Sequence, residues 1–118
     1  MRCEDLNRLI LQHLPNIKDI YLDEVSWQEG DSTGSHIVYG DVLTPYLVKC
    51  IKNKRTKEVK TIFKLIEEIL GLNDDYADEV IYLSVFESIA YIFDDYPDTI
   101  LLLGYKSKKV LNEIMKFS

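Results

Sequence analysis

The chain has 118 residues, 47% of them hydrophobic, and a formal net charge of −6. That describes one domain with enough apolar side chain to bury a core without disulfide or metal staples, and it excludes a disordered chain. The acidic balance argues against unaided nucleic-acid binding, which needs a basic footprint.

The opening MRCEDLNRLILQHLP lacks the long apolar core and small-residue cleavage site of a signal peptide. No apolar run reaches the ~20 residues that cross a bilayer. The expected location is therefore the cytoplasm, with no membrane partner. Cys3 and Cys50 are far apart and in no motif, which predicts free thiols in a reducing compartment.

The first helix is predicted over Glu4–Leu14. Leu6, Leu9, Ile10, His13 and Leu14 share one face, and Pro15 ends it. Asn16 is the expected cap of a second helix that turns Ile17, Ile20, Tyr21, Glu24 and Val25 to one side. Trp27, the only tryptophan, is expected to anchor against the body of the protein. Gln28–Ser35 reads as a loop carrying Glu29 and Asp31. It lacks the alternating oxygen ligands of a calcium loop.

His36–Leu43 suggests a short helical turn, and Thr44-Pro45 marks the start of the main third helix. Its buried stripe would be Tyr46, Leu47, Cys50 and Ile51. A basic turn, Lys52–Lys60, leads to a fourth helix capped by Thr56, with Val59, Ile62, Phe63, Ile66, Ile69 and Leu70 inward. Gly71 is its expected left-handed terminator, and Glu67 and Glu68 are placed to pair with Lys64.

Residues 73–98 then form the most apolar stretch, read as a central helix with Asn73 as its cap and an end near Phe93. Glu87 inside it is expected to be buried and to act as a structural hydrogen-bond hub. Pro97–Leu103 predicts a short helix stopped by Gly104, and Ser107 the cap of a last helix with Val110, Leu111, Ile114 and Met115 inward. The fold class is all-α: a single domain, 1–118, of six to seven antiparallel helices with short connections, packed as one compact bundle or as HEAT-like hairpins.

Charge is segregated along the chain. Residues 1–48 hold 3 basic and 8 acidic side chains, and residues 49–64 hold 7 and 1. Residues 65–105 hold none and 10, and residues 106–118 hold 4 and 1. If the helices alternate in direction, one end collects Asp41, Asp74, Asp75 and Asp78, with Glu29 and Asp31 nearby. Tyr39, Tyr46 and Tyr76 would rim that patch. At the other end Asp94, Asp95 and Asp98 lie beside the basic turn. Carboxylates that steer association and tyrosines that anchor it suit a basic protein surface. His13, His36, Cys50 and Glu87 show no catalytic or metal-binding spacing, so no enzyme activity, cofactor or metal is expected.

Trp27 before an acidic polar loop, IVYGDVLTPYL at 37–47 and TILLLGYKS at 99–107 together resemble the small helical immunity proteins of bacterial polymorphic toxin systems. Those systems include contact-dependent growth inhibition, and the similarity covers roughly 15–118. The resemblance implies a cytoplasmic protein without activity of its own that neutralises a cognate toxin domain, expected to be a basic nuclease. It would do so by covering the toxin's active site or substrate surface. The competing expectation is a HEAT-like adaptor or regulatory domain with no toxin link.

Overall fold

The computed structural model describes residues 1–116, and every regular element among them is helical. Helix α1 (Cys3–His13) buries Leu6 and Ile10. Leu14 and a tight 3₁₀ turn, Pro15–Ile17, redirect the chain into α2 (Lys18–Ser26). Asn16 lies inside that turn rather than capping α2, whose N-cap is Ile17. The inner face of α2 and its lead-in is Ile17, Tyr21 and Val25, spaced at four residues and all buried.

The Thr44-Pro45 signal does not start a helix. The chain is already helical from α3 (Ser35–Val38), widens into a π-turn at Tyr39–Leu43, and continues as α4 (Thr44–Lys52). Pro45 has no N–H, and its ring would strike the carbonyl of residue 41 in a regular α-helix. The widened turn, where the Thr44 N–H reaches back to the Tyr39 carbonyl, carries the rod past it. Thr44 uses its hydroxyl elsewhere, donating to the Ser84 carbonyl at 2.8 Å.

The central stretch repeats this construction. Helix α6 (Asp75–Val80) widens into a π-turn at Ile81–Phe86 and resumes as α7 (Glu87–Ile89). A tighter passage at Ala90–Tyr91 leads to α8 (Ile92–Asp95). The two rods cross where their wide turns meet. A Cβ on Gly40 would sit 3.7 Å from the Ser84 Cβ, and His36 Nδ1 lies 2.8 Å from the Ser84 hydroxyl.

Each rod buries a broad stripe that includes a series of residues four apart, flanked by Val38, Val42 and Cys50 on the first and by Val80, Phe86 and Ile92 on the second. Ser35, Tyr39, Leu43, Leu47 and Ile51 line one, and Ala77, Ile81, Val85, Ile89 and Phe93 the other. A regular helix turns 100° per residue, so such a series drifts by about 40° at each step. One wide turn per rod offsets the drift. The second rod is nevertheless one-sided: Leu83 and Tyr91 are exposed, and so is Glu87, which is not the buried hub its apolar neighbours suggested.

Helix α5 (Thr56–Leu70) packs against α1, α4 and α6. It buries the whole predicted face, Val59, Ile62, Phe63, Ile66, Ile69 and Leu70, and Leu65 as well. Its ends differ from expectation. Thr56 is its first residue, and no side chain caps it. Gly71 has φ −71°, and the left-handed residue of the turn is Asn73 at φ +54°. Asparagine tolerates that conformation through local hydrogen bonding. The cap of α6 is consequently Asp74, one residue later than predicted.

A 3₁₀ segment, Pro97–Leu102, and Gly104 lead to α9 (Tyr105–Lys116), which sends Leu111 and Ile114 inward and packs on α5. Asp95 and Asp98 line the same cleft as Lys54, about 600 Å³ in volume. The radius of gyration is 13.4 Å, close to the ~13 Å expected for one packed body of this length. Among the described residues no helix is long and apolar enough to cross a membrane.

Candidate functional site

The acidic end is built around Asn7, a fully buried polar side chain on the core-facing stripe of α1. Its amide donates to the carbonyls of Asp31 (3.2 Å) and Thr33 (2.7 Å), and its oxygen accepts from the Ser35 hydroxyl at 2.8 Å. The Tyr21 hydroxyl donates to the Asp31 carboxylate at 2.8 Å, and the Ser35 N–H donates to the Tyr76 hydroxyl at 3.0 Å. Loop 28–35 is thereby tied to α1, α2 and the first turn of α6.

That first turn holds three predicted carboxylates in three different states. Asp74 accepts from the Ala77 N–H at 2.9 Å and pairs with the α-amino group of Met1 at 2.6 Å. The amino group first, then the Ala77 N–H, holds its carboxyl below the usual range. Asp78 goes the other way. Burial, then the charges of Asp75 and Asp74, push it up, and its Oδ1 is buried with no hydrogen-bond partner among the described residues. Asp75 and Glu29 are exposed, and neither carboxylate enters a hydrogen bond or ion pair among the described residues.

Three predicted members belong elsewhere. Tyr39 is fully buried and donates its hydroxyl to the Leu6 carbonyl at 2.6 Å, so it rims nothing. Burial also pushes that hydroxyl far above the ordinary phenol range. Tyr46 lies half-buried beside His13 and Lys57, against the start of α5. Asp41 sits midway along the first rod, because the helix begins at Ser35 and not at Thr44. The Ser35–Tyr76 hydrogen bond joins the loop that carries Glu29 and Asp31 to the helix start that carries Asp74, Asp75, Tyr76 and Asp78. Asp78 also lines a cleft with Lys106 and Lys109, and Tyr39, Asp41 and Tyr46 lie apart.

Trp27 reverses its expectation. It is 71% exposed and shares a cleft of about 270 Å³ with Ile20, Asp23, Glu24, Asp41 and Val42. The helical spacing of Ile20, Asp23, Glu24 and Trp27 puts them together on one flank of α2, beside its buried stripe.

Glu67 does not pair with Lys64. Its carboxylate accepts the N–H groups of Lys106 and Ser107, both at 2.9 Å, and the Ser107 hydroxyl at 2.8 Å. It therefore caps α9 from across the bundle, and Ser107 is a buried first-turn donor rather than the cap. Burial opposes ionisation of Glu67, but these donors outweigh it and hold the carboxyl below its ordinary range. Glu68 instead lies 3.4 Å from His13 at the surface. Among the described residues no three His, Cys, Asp or Glu side chains gather as metal ligands, and both cysteines are unbridged.

These features define an all-α domain with a hydrogen-bonded acidic loop and an exposed tryptophan in an acid-lined cleft. The chain belongs to the family described as Domain of unknown function (DUF7674), whose model matches residues 7–117. No curated protein and no solved structure matches it.

Proposed function

We propose that this chain is an immunity-type inhibitor: a cytoplasmic protein that binds a cognate toxin domain with a basic surface, such as a nuclease, and covers its functional face. The observation that carries the reading is the acidic end. The reading is supported by the way Asn7, Tyr21 and Tyr76 tie the loop that carries Glu29 and Asp31 to α1, α2 and the acidic first turn of α6. A surface ordered in advance loses little conformational freedom on binding, and its charge speeds encounter with a cationic partner.

The clean test uses the two carboxylates without a structural duty. Glu29→Lys combined with Asp75→Lys should leave the fold intact while slowing association and costing protection against a basic nuclease toxin at moderate salt. Undiminished neutralisation by the folded double variant would refute the assignment of this surface.

A further inference from the structure

We infer that the flank of α2 that carries Trp27 is the anchor of the partner interface, and that Trp27 receives an arginine from a cationic protein segment. This deepens the protein-binding reading above and rests on it. Three observations converge. The chain's only tryptophan stands 71% exposed, with Ile20 at 46% on the same stripe. Carboxylates from two separate elements, Asp23 and Glu24 of α2 and Asp41 of the first rod, line the cleft beside it. Glu24 accepts one long contact from the Gln28 amide at 3.5 Å, and no ion pair among the described residues engages any of the three.

The position adds to the charge. Trp27 occupies the C-cap of α2, where the helix presents the negative end of its dipole. Residues 18–31 contain one lysine against five carboxylates, so the face has little internal neutralisation. A guanidinium satisfies all of this at once. Its plane stacks on the indole while its fork of N–H donors meets the flanking carboxylates. A lysine ammonium can meet the carboxylates or the ring, and it gives up more hydration to do so. Trp27 also directly precedes loop 28–35 in the chain, next to the acidic Glu29 and Asp31.

The test uses a short oligo-arginine peptide and an oligo-lysine peptide of equal length at low salt. Trp27 emission and peptide anisotropy are both read. Oligo-arginine should perturb Trp27 emission and bind about 2–5-fold tighter than oligo-lysine. Trp27→Ala should abolish that preference, and Asp23→Lys with Asp41→Lys should weaken both peptides strongly. These side chains are exposed, and circular dichroism verifies that the variants fold.

Equal binding of the two peptides overturns the inference. So does binding that leaves Trp27 emission unchanged, or a concentration-dependent change without peptide, which would mark a second copy of the chain on this face. Glu29→Lys with Asp75→Lys separates the two proposals. Loss of peptide binding there, with Trp27→Ala unaffected, removes the anchor and keeps the acidic end. The opposite pattern keeps the anchor and removes the acidic end.

Discussion

Gly104→Ala is the sharpest probe of how the last helix is held. A Cβ at this position would lie 2.4 Å from Glu67 Cδ and 2.5 Å from Glu67 Oε1. The obstacle is a flexible side chain, so relief is sterically easy. It is energetically expensive because that side chain is the cap of α9. Moving it releases the N–H groups of Lys106 and Ser107 and the Ser107 hydroxyl. Lys106 is exposed and its N–H can turn to water; Ser107 is fully buried and cannot. Loss of a cap costs about 1 kcal/mol, and a stranded buried polar group about 1–3 kcal/mol. The expected loss is therefore about 2–4 kcal/mol, or roughly 8–16 °C in Tm for a domain of this size. Glu67→Ala should cost a similar amount for the same reason. The double variant should cost no more than either single one, since the bonds are lost once and the crowding is relieved. Urea and thermal unfolding followed by circular dichroism measure all three. Additive losses, or a Gly104→Ala within about 0.5 kcal/mol of the parent, would refute the account.

Glu67 also predicts a pH dependence. Its folded-state pKa lies below the ordinary 4.5, so its contribution is complete above that value and is lost as pH falls through the lowered one. Parent and Glu67→Gln should converge in stability in acid. Asp78 has the opposite sign: its folded-state pKa lies above 3.8, so the folded state holds the proton more tightly. Its penalty is absent at low pH and complete once pH has risen through the raised value. Asp78→Asn should stabilise the protein at neutral pH by about 0.5–1 kcal/mol, and denaturation in acid should erase the gain. Asn7→Ala should cost about 1–3 kcal/mol, because it strands the buried Thr33 carbonyl and leaves the Ser35 hydroxyl only its 3.3 Å contact with the Cys3 carbonyl. Hydrogen exchange should show loop 28–35 opening first; an unchanged loop would contradict its dependence on Asn7. Gly40→Ala, whose Cβ would meet Ser84 at ordinary contact distance, should be tolerated within about 1 kcal/mol. Gly40→Leu should unfold the crossing.

The apolar periodicity made the helices and the inward face of α5 readable, because burying six residues on one side of a helix outweighs any local detail. The ends were less readable. Thr56, Asn73 and Ser107 are competent caps by residue type, yet the chain leaves α5 without a side-chain cap, shifts to Asp74, and brings Glu67 from 39 residues away in sequence. A cap supplied across the bundle leaves no local pattern; the one trace is Gly104, needed where Glu67 passes. The wide turns left no clear trace: Val38, Val42, Cys50, Val80, Phe86 and Ile92 are buried beside the residues four apart, so the apolar spacing mixes threes and fours as in an ordinary helix. The misplaced helix start decides the candidate surface, because starting the helix at Ser35 moves Asp41 from the acidic end to the side of Trp27. Residue type misleads at Trp27: large aromatic residues are usually anchored, and nothing local announces that this one faces water.

The paired wide turns also bear on how the length of this chain can change over generations. A π-turn is geometrically one surplus residue held inside a helix while both flanks keep their facing. Excising a single residue within Tyr39–Leu43 or Ile81–Phe86 would close the bulge and return the rod to regular winding. The same excision in the middle of α5 would rotate everything beyond it by about 100° and turn its buried face to water. Relatives of this chain that are one residue shorter should have shed that residue at the Gly40–Ser84 crossing and not in α5.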